Sequence, residues 1–321
     1  MFFRRRPRSL PPILFFRILS DTPKMIWFAA GLAFAFLNAI TMLINQRYKV
    51  DGRLMSGMRG IGVALLFLPA LFFAPVPKNG VFWLLIAAEG LVSTFYNARL
   101  YEASARYGAN STSLINVLSI GFGLVLWWIV FPRRFVALAE SPATFAGIWL
   151  SLALVCGGFF LSAKRIFVRG EFSYMLPAVV VLAAMMIIRK EIMTDAEFMS
   201  AMTYYCVCSI FFSGVANLSI YAFLRGGMRE ATRGVSKRTL FAGAMMAIAS
   251  AATIFCGNVS VLYSPNPAYV SAVALTTPLW TILLNSASGV ETRPKMIPTA
   301  VMIAGLVLLI YFADKPLHPV F

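Results

Sequence analysis

Apolar runs of about 20 residues recur from one end of the chain to the other, and this recurrence fixes the class of fold. A helix of that length crosses the ~30 Å hydrocarbon core of a bilayer at ~1.5 Å per residue. Composition agrees: 60% of the residues are hydrophobic and 12% are charged, about half the charged share of an ordinary soluble domain. No hydrophilic stretch is long enough to form a soluble domain. The expected fold is an all-α membrane protein.

Ten runs read as spans: 25–45, 54–74, 81–103, 108–131, 144–163, 172–192, 198–224, 239–263, 267–288 and 295–313. Turn-forming punctuation separates them. "APVPKNG" divides the second from the third, "FPRRF" follows the fourth, and "GVETRP" closes the ninth. "SPNP" divides the eighth from the ninth, with Asn266 placed as a cap and Pro267 at the first helical position. Short turns at "YKVDGRLMSG" and "RYGANS" imply tight helical hairpins.

The second half echoes the first. With Asn97 laid over Asn258, "NARLYEASARYGANSTSLINVL" lies over "NVSVLYSPNPAYVSAVALTTPL". Five spans is an odd number, so each repeat enters the membrane from the opposite side, the inverted-repeat plan of many secondary transporters. The expected organisation is therefore ten transmembrane helices as two inverted five-helix repeats around a central cavity. A basic cytoplasmic or interfacial tail occupies 1–24, repeat one 25–163, repeat two 172–313, and a C-terminal tail 314–321.

The formal charge of +16 is read as basic loops against anionic headgroups rather than nucleic-acid binding. For ten spans with the N-terminus inside, inner segments hold 12 Lys and Arg and outer loops 14, so the count does not orient the chain. The cluster Arg4, Arg5, Arg6, Arg8, Arg17 and Lys24 favours a cytoplasmic N-terminus; "RGGMREATRGVSKR" argues the other way. No cleavable leader is expected, because Leu10–Leu19 is broken by Pro11, Pro12 and Arg17; this piece reads equally as interfacial helix or disorder. The cysteines Cys156, Cys206, Cys208 and Cys256 lie in apolar runs and read as small buried hydrophobes. With His318 as the sole histidine, no metal site and no cofactor are expected.

Polar residues inside the runs carry the functional signal. Wound at 100° per residue, Glu89, Ser93, Tyr96, Asn97, Leu100 and Ser104 form one stripe, while Arg99, Glu102 and Arg106 form an interfacial charge ladder. Glu89 lies ~13 Å deep by helical rise. An acid there contacts substrate or a proton, or else bonds to a neighbouring helix. Further strips are Asn38, Thr41 and Asn45; Ser213, Asn217 and Tyr221; Asn110 to Ser113 with Asn116; Ser250 and Asn258; and Ser271, Thr276, Thr277 and Trp280. Singly, such residues bond helix to helix; on several helices together they imply a central polar cavity. Pro278 removes a mid-span hydrogen bond; the kink reads equally as one that shapes a cavity or hinge and as one common in membrane helices with no gating role. Arg59 either snorkels to headgroups or meets an anionic group in the pathway. Arg189, Lys190 and Glu191 look interfacial. Gly243, Ala247 and Ala251, and Ala300 and Ala304, are spaced for close helix packing.

Three features resemble a known family. They are the five-plus-five layout, the third span ending "FYNARLYEASARYGAN", and "TTPLWTILLNSASGVETRP", with Pro278 in the ninth span and Glu291 in the turn after it. Over residues 25–313 the chain resembles the drug/metabolite transporter (DMT) superfamily, EamA-type. The first repeat departs from the pattern, with Val117 in place of the proline and "FPRRF" in place of the glutamate turn. The resemblance implies cytoplasmic termini and a cavity lined mainly by spans 1, 3, 4, 6, 8 and 9. It also implies transport of small metabolites, often amino acids or related compounds and commonly outward, coupled to a gradient or exchange. The absence of a G-x-x-x-x-G-K-[ST] loop agrees that ATP is not the energy source.

The expected function is a secondary transporter, exporter or exchanger, of small polar metabolites in a bacterial-type inner membrane, working by alternating access. Its partners would be the small-molecule substrate, the bilayer, and a proton or counter-substrate, with no nucleic acid. Candidate substrate-binding residues are Glu89, Tyr96, Asn97, Asn38, Asn258 and Trp280; candidate gating or kink positions are Pro278 and Arg59. Two rivals are a non-transporting scaffold or receptor and a membrane-embedded enzyme. The latter needs convergent nucleophiles, acids or metal ligands, and the chain is not expected to be an enzyme.

Overall fold

The computed structural model describes residues 23–107, 109–162, 169–233, 235–288 and 296–313. The arginine-rich tail, Leu10–Leu19, Glu291 and His318 lie outside the described residues, as do the side chains of 109–117. Among the described residues all regular structure is helical. In chain order the helices are α1 (Pro23–Tyr48), α2 (Gly52–Phe67, extended by a 3₁₀ turn Leu68–Phe72), α3 (Gly80–Tyr107), α4 (Ala109–Val130), α5 (Pro132–Ala139), α6 (Pro142–Ser162) and α7 (Arg169–Asp195). There follow α8 (Phe198–Leu224, with a π-helical stretch Tyr205–Ile210), α9 (Met228–Arg233), α10 (Lys237–Tyr263), α11 (Pro267–Ala274), α12 (Thr277–Ala287) and α13 (Met296–Ala313). Among the described residues, eight segments are long and apolar enough to cross a membrane: α1, α2, α3, α6, α8, α10, α11 with α12, and α13.

The outer surface is apolar, and buried polar side chains sit within an otherwise apolar interior. Leu84 is 69% exposed and Phe223 82%, whereas Glu89, Asn45 and Asn217 are fully buried. Apolar side chains outside and hydrogen-bonding ones inside are what a hydrocarbon solvent selects. The turns carry the expected chemistry. Asp51 caps α2, its carboxylate accepting from Arg53 N at 2.9 Å. Asn266 caps α11, accepting from Ala268 N at 2.9 Å. Gly227 has φ of 123° and donates to Ala222 O at 2.9 Å, closing the end of α8.

Helix pairs approach through small residues. α1 packs along α10, α6 along α13, α2 along α8 and α3 along α7. A Cβ on Gly60 would sit 2.6 Å from Gly214 Cα and 2.7 Å from Ile210 O, so α2 and α8 are in backbone contact there. Gly158 and Gly305 do the same for α6 and α13: a Cβ on Gly305 would sit 2.8 Å from Ser151 O. Of the two small-residue stripes, the one on α10 packs as expected, with Ala247 against Gly62 and Gly243 against Met58. The one on α13 does not. Ala300 and Ala304 are exposed, and Pro298, Met302, Gly305 and Leu309 form the buried face. A four-residue spacing of alanines fits a lipid-facing surface equally well, and the glycine decides which face closes.

Gly60→Ala overpacks the α2–α8 contact and should cost about 1–3 kcal/mol. Gly121, whose added Cβ would meet nothing within 4 Å, should accept alanine with no loss. Thermal midpoints of the two purified variants check this; equal midpoints would show that the helices separate freely at Gly60.

Candidate functional site

Six helices line a cavity of about 70 Å³, room for a few water molecules. α1 contributes Phe34, Asn38 and Thr41, α2 contributes Arg59, and α3 contributes Tyr96, Asn97, Leu100 and Tyr101. α7 contributes Leu182, Met186 and Arg189, α10 contributes Ser250, Thr253, Ile254 and Gly257, and α11 contributes Ser271 and Ala274. The described part of α4, from Leu118 onward, does not line it.

The stripe on α3 is its buried face. Glu89, Ser93 and Ser104 are fully buried, and Tyr96, Asn97 and Leu100 nearly so. Glu89 is not among the cavity-lining side chains. Its Oε1 accepts from Arg189 Nε at 2.7 Å and from the Tyr205 hydroxyl at 3.0 Å. The carboxyl is therefore bonded to neighbouring helices, and only Arg189 connects it to the cavity.

Arg189 and Lys190 are not interfacial. Lys190 is 8% exposed, and its Nζ donates to the carbonyls of Val261 at 2.9 Å, Leu262 at 2.5 Å and Ser264 at 2.9 Å. An ammonium there satisfies the orphan carbonyls at the C-terminus of α10. The expectation failed because α7 continues to Asp195, which places both residues more than a turn inside its end. Leu182, Met186 and Arg189, at i, i+4 and i+7, carried the missed signal: an apolar stripe that ends in a cation.

The charge ladder at the end of α3 is tied to α7. Arg99 donates to Tyr174 O at 2.9 Å and lies 4.4 Å over the Tyr174 ring. The Tyr174 hydroxyl donates to Glu102 at 2.7 Å, and Arg106 pairs with Glu102.

The structure separates the other candidates. Asn38, Tyr96, Asn97 and Arg59 line the cavity. Asn258 does not; it is buried with Nδ2 3.2 Å from Met202 Sδ, tying α10 to α8. Trp280 does not either; it lies edge-on to Phe36 with centroids 5.4 Å apart. Asn45 donates to Tyr101 O at 2.6 Å, and Asn217 donates to Ser56 Oγ at 3.1 Å and Thr94 O at 3.0 Å, so both amides join helices. Pro278 lies in the first turn of α12, directly after the break at Leu275–Thr276. The sequence-stripe residues Ser271 and Ser250 face the cavity; Thr277 instead donates to Ala35 O at 3.2 Å.

No protein-family model and no curated protein sequence matches the chain. Nineteen chains of solved structures match it in shape. One of them, described only as "Crystal structure of protein", superposes with a TM-score of 0.61 at 13% identity, over 92% of this chain and 99% of that chain. At that identity the likeness speaks to the fold alone.

Glu89→Leu strands the Arg189 guanidinium and should cost about 3–5 kcal/mol. Glu89→Leu combined with Arg189→Met should recover part of the loss, since the paired removal leaves no bare charge and only the buried Tyr205 hydroxyl loses its acceptor. A double-mutant cycle on unfolding midpoints reads the coupling; additive losses would mean the two side chains do not interact.

Proposed function

We propose that the chain is a secondary transporter of small polar metabolites, of the kind represented by amino acids and related compounds, and an EamA-type member of the drug/metabolite transporter superfamily. The observation that carries this reading is the cavity itself. It brings amides, hydroxyls and guanidiniums, set among apolar side chains, together from six helices of a bundle whose outer surface is apolar. Such a lining is costly in a bilayer and serves a solute that must leave water.

The packing supports two inverted five-helix repeats, α1–α4 with α6, and α7, α8, α10, α11 with α12, and α13. Exchanging α1 with α7, α2 with α8, α3 with α10, and α4 with α11 and α12 turns several of the observed neighbour pairs into other observed pairs, although α2·α3 has no counterpart of similar extent between α8 and α10. Thus α1·α10 becomes α7·α3, α2·α10 becomes α8·α3, and α4·α7 becomes α11·α1, while α2·α8 and α6·α13 return to themselves. A pseudo-two-fold axis in the membrane plane has this property. Rocking one repeat against the other would open the cavity alternately to the two sides. The reading places the protein in a bacterial-type inner membrane with both termini cytoplasmic, coupled to a proton or a counter-substrate.

Sealed vesicles holding the purified protein test this. Labelled neutral, cationic and anionic metabolites are offered under an imposed gradient and in counterflow. Saturable flux of at least one class above protein-free vesicles is expected, and joint Asn38→Leu and Asn97→Leu substitution should cut it at least about tenfold by stranding a polar cargo group. Vesicles that stay tight to every class would overturn the proposal.

A further inference from the structure

We infer that Arg59, with Arg189 beside it, forms an anion subsite in this cavity that takes the carboxylate or phosphate-type group of a soluble solute; the inference rests on the transporter reading only for calling that solute cargo. Arg59 is 8% exposed and faces the cavity. Among the described residues it makes no hydrogen bond or ion pair, and its Nε is buried without a partner. Its guanidinium lies 6.0 Å from the Tyr101 ring centroid, near the outer limit of cation–π attraction, and it feels the Glu89 carboxylate through space without bonding to it. A guanidinium does not shed its proton in a protein, so this charge persists. Buried and unpaired, it disfavours the fold unless something else repays the cost.

The other inward-facing cations are occupied. Lys190 is held by three carbonyls, Arg99 by Tyr174, and Arg189 by Glu89. Two guanidiniums and one carboxylate thus meet at this end of the cavity, leaving one positive charge. That sign repels a cationic solute and attracts an anionic one. The planar fork of arginine suits a two-oxygen acceptor. Ser250, whose buried Oγ has no partner among the described residues, and Asn38 and Asn97 supply neutral bonding to the rest of the solute. A purely structural arginine would have partners, as Arg99 and Arg189 do; removing this one strands nothing.

The full chain in nanodiscs of phosphatidylcholine alone, where no lipid carries a net negative charge and chloride is the constant background anion, gives the test. Acetate, succinate and inorganic phosphate are titrated at ionic strength fixed with sodium chloride, reading thermal midpoint and calorimetric heat. At least one should raise the midpoint saturably, and which one assigns carboxylate or phosphate chemistry. Arg59→Gln should weaken that binding roughly 10- to 100-fold and raise the anion-free midpoint; Arg59→Lys should fall between. No shift with any anion, an unchanged shift in Arg59→Gln, or a lowered anion-free midpoint in that variant would each overturn the subsite. Binding without vesicle flux would remove transport and leave the subsite. Saturable flux of a neutral or cationic metabolite indifferent to Arg59→Gln would do the reverse.

Discussion

The ion pair between Glu89 and Arg189 is the constraint on which the arrangement of the bundle rests. An ionised carboxylate among apolar helices is unfavourable by several kcal/mol unless it is met by charge and hydrogen bonds. Here both arrive at one oxygen, from Arg189 on α7 and from Tyr205 on α8. Three helices must therefore hold fixed rotations about their axes. Once Glu89 faces inward, the 100° advance per residue turns Ser93, Tyr96, Asn97 and Ser104 inward as well. The cavity-lining face of α3 follows from where its acid must point.

Hydrocarbon gives no hydrophobic drive to bring helices together, so contact area and internal hydrogen bonds have to do it. The glycines at α2–α8 and α6–α13 supply close contact. Amides supply the bonds, with Asn217 alone reaching residues on α2 and α3 as well as its own helix. Irregular backbone sits close to this centre. The π-helical stretch of α8 begins at Tyr205, which serves Glu89, and the break between α11 and α12 follows Ser271 and Ala274, which line the cavity. These two departures occur where protein surrounds the chain, whereas the 3₁₀ turn Leu68–Phe72 that ends α2 is exposed.

Much of this was legible from residue order. Apolar runs marked the eight helices of membrane-spanning length found among the described residues, two fewer than the ten expected, and the α3 stripe marked a buried face. Asn266 and Pro267 gave the start of α11, and Pro278 marked the neighbourhood of the α11–α12 break. What sequence could not supply was partner identity. Asn38 and Asn258 are the same residue type on packed helices, yet one lines the cavity and the other meets Met202, because the facing helix decides. Arg189 was misplaced for a related reason. A cation near the end of an apolar run is ordinarily solvated by headgroups, and only the unforeseen extra turn of α7 brings it to Glu89. Trp280 fell to the same ambiguity: an aromatic on a polar strip packs on Phe36 as readily as on a solute.

The pairing also bears on how an anion carrier could cycle. In the proposed transporter an anion bridging Arg59 and Arg189 would join α2 of the first repeat to α7 of the second, and would hold the two together while bound. After release, two bare guanidiniums facing one another would resist closure of the empty cavity. Glu89 relieves this, since Arg189 returns to a carboxylate that never leaves. Only Arg59 is then left uncompensated, so the empty form carries one unpaired charge where it would otherwise carry two. A fixed internal counter-ion next to the subsite thus lowers the barrier that an all-cationic pocket would raise, while keeping the pocket positive enough to select its ligand.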